Sequence, residues 1–396
     1  MDSQSQAEPL TLSGKFANIS KEIALLEHED AAEGLVTAAL TNNHLALFGP
    51  PGTGKSFMSN EFCKRLTGSR HFYKLLSRDM APDELLVSEF IIKEWIDKND
   101  GSKHTQFLKS TANMLPECEI AFLDEGFKAN STTLNKLLDI ILDRRYMMNG
   151  EIKEAKTETV ILASNEMPED ECKAFFDRIL FRYVIENIKE PQSFFSLLDF
   201  EYDGRTPTTV TMGELRQAKD QLQLLEVPKS IKQKFYELRK ELADQGYVHS
   251  NRRWRACYNI IKASAWLQGK DIVDEESLEI LQHTLWNNPN RQEIKKVRDI
   301  VLQSVNPIKQ QILELYDEAQ DVVRGVYHQK TDEDKQKHAI EANTKLKKIG
   351  KKMEGFIKQI EDKNKPTARY TELRNKITIM QSELVTDHLG INLKKI

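Results

Sequence analysis

Leu45-Ala46-Leu47-Phe48-Gly49-Pro50-Pro51-Gly52-Thr53-Gly54-Lys55-Ser56 joins a short apolar run to a glycine-rich loop ending in Lys-Ser. The last eight residues fit GxxxxGK[ST] in the context that pattern needs, a strand before it and a helical pattern (residues 56–66) after it. Four apolar residues in a row, bounded by polar ones, read as a strand buried on both faces of a parallel sheet. Glycines let the backbone wrap a phosphate with its N–H groups aimed inward, and the following helix adds its positive N-terminus. Gly49, Pro50, Pro51, Gly52, Thr53 and Gly54 are therefore candidate phosphate-cradling residues. Lys55 is placed to bridge the β- and γ-phosphates, and the Ser56 hydroxyl to ligate Mg²⁺.

Two further apolar runs follow, IAFL (120–123) and VILAS (160–164), with helical patterns such as 132–142 between the strands. This alternation predicts a three-layer α/β sandwich. The first run ends in Asp124-Glu125, an acidic pair at the carboxyl end of a strand, where open α/β sheets bind ligands. Asp124 is the second candidate ligand for Mg²⁺, and Glu125 the candidate that polarises an attacking water. The second run ends in Asn165, whose amide is suited to positioning that water or touching the γ-phosphate. Between residues 85 and 115 the rhythm breaks. VSEFII and HTQFL flank a turn at 97–102, which predicts an inserted β-hairpin.

After Gly204 the strand signals vanish. Thr211 and Glu214 fit a capping box, and Pro228, Ser250 and Asp274 precede three more helical patterns, the last ending near Trp286. From Asn306-Pro307, an N-cap followed by proline at the first helical position, the apolar residues recur at spacings of three and four. One seam runs Ile308, Ile312, Leu315, Ala319, Val322 and Val326. A second runs from Ala339 through Leu346 and Met353 to Ile360, and a third after Pro366 through Tyr370, Ile377 and Leu384. Three seams predict an antiparallel hairpin or three-helix bundle. The expected domains are therefore an α/β core over 1–204, a helical lid over 205–305 and a C-terminal helical bundle over 306–396.

Composition narrows the function. The chain of 396 residues is 39% hydrophobic, enough for sizeable cores. Its 57 basic and 61 acidic residues leave a net charge of −4, which argues against nucleic acid as a partner held by a global basic field. Residues 328–365 hold eleven lysines and no arginine, a pattern read first as a solvated helical face. Cys63, Cys118, Cys172 and Cys257 are scattered and form no CxxC pair, so they are expected to be reduced thiols. The N-terminus is polar and acidic and no long apolar run follows, so a cytoplasmic protein without a membrane span is expected.

The three motifs in this order, with a helical domain behind the α/β core, resemble the AAA+ ATPases. The hairpin inserted before the acidic strand, a second one at 145–157, and LASNEMPED (162–170) resemble the MoxR branch. FFDRILFRYVIE (175–186), VHSNRRWRACYNIIKASAWLQGK (248–270) and Trp286 resemble its RavA-like subgroup. The resemblance spans residues 12–305. It implies Walker A at Lys55 and Ser56, Walker B at Asp124 and Glu125, and sensor 1 at Asn165. It also implies an arginine finger at Arg178, with Arg182 as alternative, and sensor 2 at Arg252, with Arg253 as alternative. ATP and Mg²⁺ as cofactors, a hexameric ring, a chaperone-like role, and a partner with a von Willebrand factor A domain belong to the same implication. Residues 306–396 lack the strand-rich insertion of RavA-like proteins, so the partner bound through that insertion is not implied. Two other classes compete: a nucleotide-gated scaffold with little turnover, and a nucleic-acid or GTP-driven motor subunit. Glu125 and Arg178 favour an enzyme over the scaffold.

Overall fold

The computed structural model describes residues 10–97, 102–166, 173–199, 206–329, 331–362 and 367–389. Cys172, Pro366, residues 167–170 of the 162–170 string, most of the first hairpin's turn and the expected boundary at 204 lie outside them. The chain divides into two compact units, residues 1–298 and 299–396.

The first unit is built on a five-stranded, all-parallel sheet. Its strands lie in the order Phe181–Val184, Leu45–Phe48, Thr159–Ser164, Ile120–Asp124 and His71–Leu75. The strand that feeds the glycine-rich loop is interior and buried at all four positions, which is why its sequence does not alternate. Helices Glu29–Leu40 and Lys55–Arg65 pack against the sheet. The helical pattern at 132–142 forms as Ser131–Leu138 and widens into a π-helical turn over Asp139–Asp143.

Two strands of this sheet do not stand out by hydrophobic pattern. His71–Leu75 is an edge strand, with Phe72 buried and Tyr73 exposed. Phe181–Val184 carries Arg182 in its middle, and that side chain is 1% exposed. Its guanidinium donates to the carbonyls of Ile179 (2.8 Å), Phe176 (2.8 Å) and Trp286, and lies 3.8 Å from the centre of the Phe176 ring. Three carbonyls and an aromatic face offset the desolvation of this cation.

Both inserted hairpins form. Glu89–Ile96 pairs with Lys103–Ser110, and Arg145–Met148 with Glu151–Glu154. At the second hairpin's turn, Asn149 (φ 54°) accepts from the Lys109 N–H at 2.8 Å and donates to the Lys109 carbonyl at 2.9 Å. That double bond ties one hairpin to the other.

The capping box read from the sequence forms. Thr211 and Glu214 make the reciprocal capping box of helix Met212–Leu224, and Ser250 accepts from the Arg253 N–H to cap Asn251–Leu267. The helix expected after Asp274 is instead a 3₁₀ segment, Glu276–His283, held at its start by Asp274 Oδ1 accepting from Ser277 N at 3.1 Å.

In the second unit, helices Pro307–Tyr327, Asp332–Glu361 and Ala368–Leu389 pack pairwise into a bundle. Asn306 caps the first, accepting from the Lys309 N–H. Ile312, Leu315, Ala319, Leu346, Ile349, Met353, Ile360 and Ile377 form one buried cluster, and Val326, Ala339, Ala342 and Leu384 another. These are the residues of the three seams. Among the described residues no helix is long and apolar enough to cross a membrane.

Candidate nucleotide-binding site

Parallel pairing sets three chain segments side by side at the carboxyl edge of the sheet. Phe48 lies beside Ser164, Leu123 beside Leu162, and the Gly49 N–H donates to the Ser164 carbonyl at 3.1 Å. Gly49, Asp124 and Asn165 therefore leave the sheet at neighbouring points. The loop that follows Gly49 needs its glycines. A Cβ on Gly49 would sit 1.9 Å from the Ile185 carbonyl oxygen, and Gly54 has φ 89° with Leu25 Cδ2 2.8 Å from where a Cβ would be.

Lys55, at the start of the loop's helix, turns back into the loop. Its Nζ donates to the carbonyls of Gly49 (2.7 Å) and Pro50 (2.7 Å) and to Asn165 Oδ1 (3.2 Å). Burial pushes the pKa of this ammonium down, while the Asp124 and Glu125 carboxylates hold it up. A desolvated cation resting on neutral carbonyls is poised for an anion. The Asn165 amide then passes the connection on, Nδ2 donating to Glu125 Oε1 at 2.7 Å. Lys55, Asn165 and Glu125 form one hydrogen-bonded chain across three segments.

Ser56 Oγ donates to Asp124 Oδ2 at 3.2 Å, so two oxygens from different segments share one point. Such hard donors suit Mg²⁺, which takes few protein ligands and keeps several waters. Glu125 lies in the left-handed region, φ 53°, an uncommon conformation for a residue with a side chain. It directs one carboxylate oxygen at Asn165. The other, Oε2, is buried without a hydrogen bond, 3.4 Å from the Lys128 ammonium. A buried oxygen with unused acceptor capacity is what a proton acceptor requires. The loop, the Ser56–Asp124 pair and this oxygen together fit a nucleoside triphosphate with Mg²⁺.

The expected arginines separate sharply. Arg182, the alternative finger, is buried and held by three carbonyls. Arg178 is partly exposed and lies 3.4 Å from Asp177 Oδ2. Arg252, the expected sensor 2, is exposed on the lid helix. Its neighbour Arg253 is buried, with a side chain only 1% exposed, and both terminal nitrogens of its guanidinium are engaged. It donates to Asp177 Oδ1 (3.0 Å), the Asp177 carbonyl (3.2 Å), Asn287 Oδ1 (3.1 Å) and His249 Nδ1 (3.1 Å). Burial and the adjacent guanidinium push His249 down to about 4, so its ring is a neutral acceptor.

The sequence does not single out Asp177, His249 and Asn287, because their grouping depends on tertiary contacts between distant segments. His44 is a further case. Its Nδ1 accepts from the Val160 N–H at 3.1 Å, and Nε2 bonds to the Ile141 carbonyl at 3.2 Å. It braces the strand that ends at Ser164 against the π-helical turn.

The chain is similar to known proteins over most of its length. Residues 14–224 match the MoxR domain in the MoxR-vWA-beta-propeller ternary systems, and residues 230–301 match an AAA lid domain. Among similar proteins, the uncharacterized protein MJ0812 of Methanocaldococcus jannaschii is 34% identical over 266 residues, 67% of this chain and 69% of that protein. The uncharacterized protein MJ0079 of the same organism is 32% identical over 303 residues, 76% of this chain and 77% of that one. The crystal structure of a candidate ATPase from Cytophaga hutchinsonii shares the fold at a TM-score of 0.55, covering 74% of this chain and 96% of that chain at 16% identity.

Proposed function

Given that the chain belongs to the MoxR family of AAA+ ATPases, we propose that it hydrolyses ATP with Mg²⁺ and uses turnover to remodel or activate a partner protein. The observation that carries this reading is the chain from Lys55 through Asn165 to Glu125, which ties the phosphate loop to a carboxylate whose second oxygen is buried and accepts no hydrogen bond. A scaffold that only binds nucleotide has no use for that oxygen. Bound ATP supplies the transferable phosphoryl group, and Mg²⁺ neutralises the charge that develops on it. The loop N–H groups and Lys55 bind and orient the phosphates. Ser56 and Asp124 hold the metal, Glu125 takes the proton from the attacking water, and Asn165 keeps Glu125 in register with Lys55.

The remaining parts of the reading rest on family likeness. Arg178 is the arginine finger, directed at the nucleotide of a neighbouring subunit, so the active form is a ring, a hexamer as in related AAA+ proteins. A von Willebrand factor A domain is the expected partner type, since the matching family is described from systems that combine the two. The RavA-like subgroup, with its chaperone-like role, and a cytoplasmic location complete the proposal.

Glu125→Gln tests it. The amide keeps shape and reach but is a far poorer proton acceptor, and general-base catalysis contributes about 10²- to 10⁴-fold. The variant should bind a fluorescent ATP analogue as wild type does and release phosphate at least about 100-fold more slowly. Turnover within twofold of wild type would move the role to another residue. A wild-type protein that binds the analogue without turnover would favour the scaffold.

A further inference from the structure

The buried lid arginine, Arg253, bonds to the segment that carries Arg178. Arg253 holds Asp177 at two points, carboxylate and carbonyl, and Asp177 stands directly before Arg178 with its other carboxylate oxygen 3.4 Å from that guanidinium. The carboxylate thus lies between two arginines, one on the lid helix Asn251–Leu267 and one on the core. Arg253 is also fixed by His249 and Asn287, both on the lid side, so the lid's position sets where the carboxylate sits. Below it, Arg182 pins the carbonyls of Phe176 and Ile179 on either side of Asp177-Arg178. The finger segment is clamped from two directions, by Arg253 on the lid helix and by Arg182 on its own strand.

We propose that Asp177 and Arg253 are positioning residues for the finger: through the Arg253–Asp177 pair the lid sets the reach of Arg178 into the neighbouring subunit's site. Arg253 then serves the next site in the ring and not its own nucleotide. A change of lid position in one subunit is passed to the neighbour's hydrolysis. This rests on the reading of Arg178 as a finger in trans.

Mixing subunits separates the two ideas. Lys55→Ala removes nucleotide binding but leaves the finger segment whole. Arg178→Ala mixed with Lys55→Ala, each inactive alone, should recover part of the wild-type phosphate release, because intact loops then face intact fingers. Arg253→Gln should show a kcat at least tenfold below wild type with KM for ATP within twofold, and it too should recover on mixing with Lys55→Ala. A residue serving its own subunit's nucleotide or fold cannot be rescued this way, since the only subunit able to bind ATP is the damaged one. Because Arg253 is buried, Asp177→Asn is the second variant, with the same expected recovery, and Asp177→Glu should retain more activity than Asp177→Asn. Recovery with Arg178→Ala but none with Arg253→Gln or Asp177→Asn would overturn this inference and leave the finger standing. No recovery with Arg178→Ala, in mixtures shown by light scattering to hold both subunits, would overturn the finger reading and this inference with it.

Discussion

At the scale of single residues, the site and its surroundings are governed by what burial does to charge. Lys55 and Arg253 are cations taken out of water and held by neutral acceptors or one carboxylate. His44 is the opposite case, an imidazole that burial, helped by Arg144, pushes down to about 3. It is neutral in the folded protein, whereas an exposed imidazole titrates at about 6.5, so protons bind the unfolded chain first as pH falls. Its contribution is whole above about pH 6.5 and is lost progressively below, towards pH 3, with a limiting slope of about 1.4 kcal/mol per pH unit. His249, held near 4, acts in the same direction. Urea unfolding at pH 7 and pH 5 should therefore show a loss of stability, and His44→Gln should reduce that loss while lowering stability at pH 7. An unchanged difference between the two pH values would show that His44 is not among the groups that titrate.

At the scale of elements, much could be read from the sequence because each signal was local. The glycine-rich loop sits between a four-residue apolar run and a helical pattern, the capping box at Thr211 is complete within four residues, and the bundle's seams repeat without interruption. What stayed hidden depends on distant partners. Phe181–Val184 is disguised by Arg182, which is tolerated in a buried strand only because three carbonyls fold onto it. Arg252 and Arg253 are adjacent on a helix and so point about 100° apart. Periodicity alone does not say which one turns inward, and the structure buries the one the family pattern ranked second. The segment after Asp274 has helical spacing, yet it is wound as 3₁₀. Among the described residues, the bundle's two apolar clusters draw on its own three helices. Cutting the chain after residue 305, just before the Asn306 cap, should therefore leave a soluble product that unfolds cooperatively in a thermal melt. An insoluble product, or one without a transition, would show that the bundle completes the packing of the rest.

The whole molecule joins an α/β core carrying the phosphate loop and the acidic strand end to a lid whose buried arginine grips Asp177, the residue before the proposed finger. A site whose last cation comes from the next subunit is incomplete in isolation, and a finger of this kind is worth about 10³- to 10⁵-fold in rate. The most direct measurement is phosphate release per subunit at saturating ATP and Mg²⁺ over a wide range of protein concentration, with light scattering recorded on the same samples. Activity per subunit should be low where the scattering reports monomers and should climb in step with assembly. A rate per subunit that stays constant while the scattering passes from monomer to assembled ring would contradict a site completed by its neighbour.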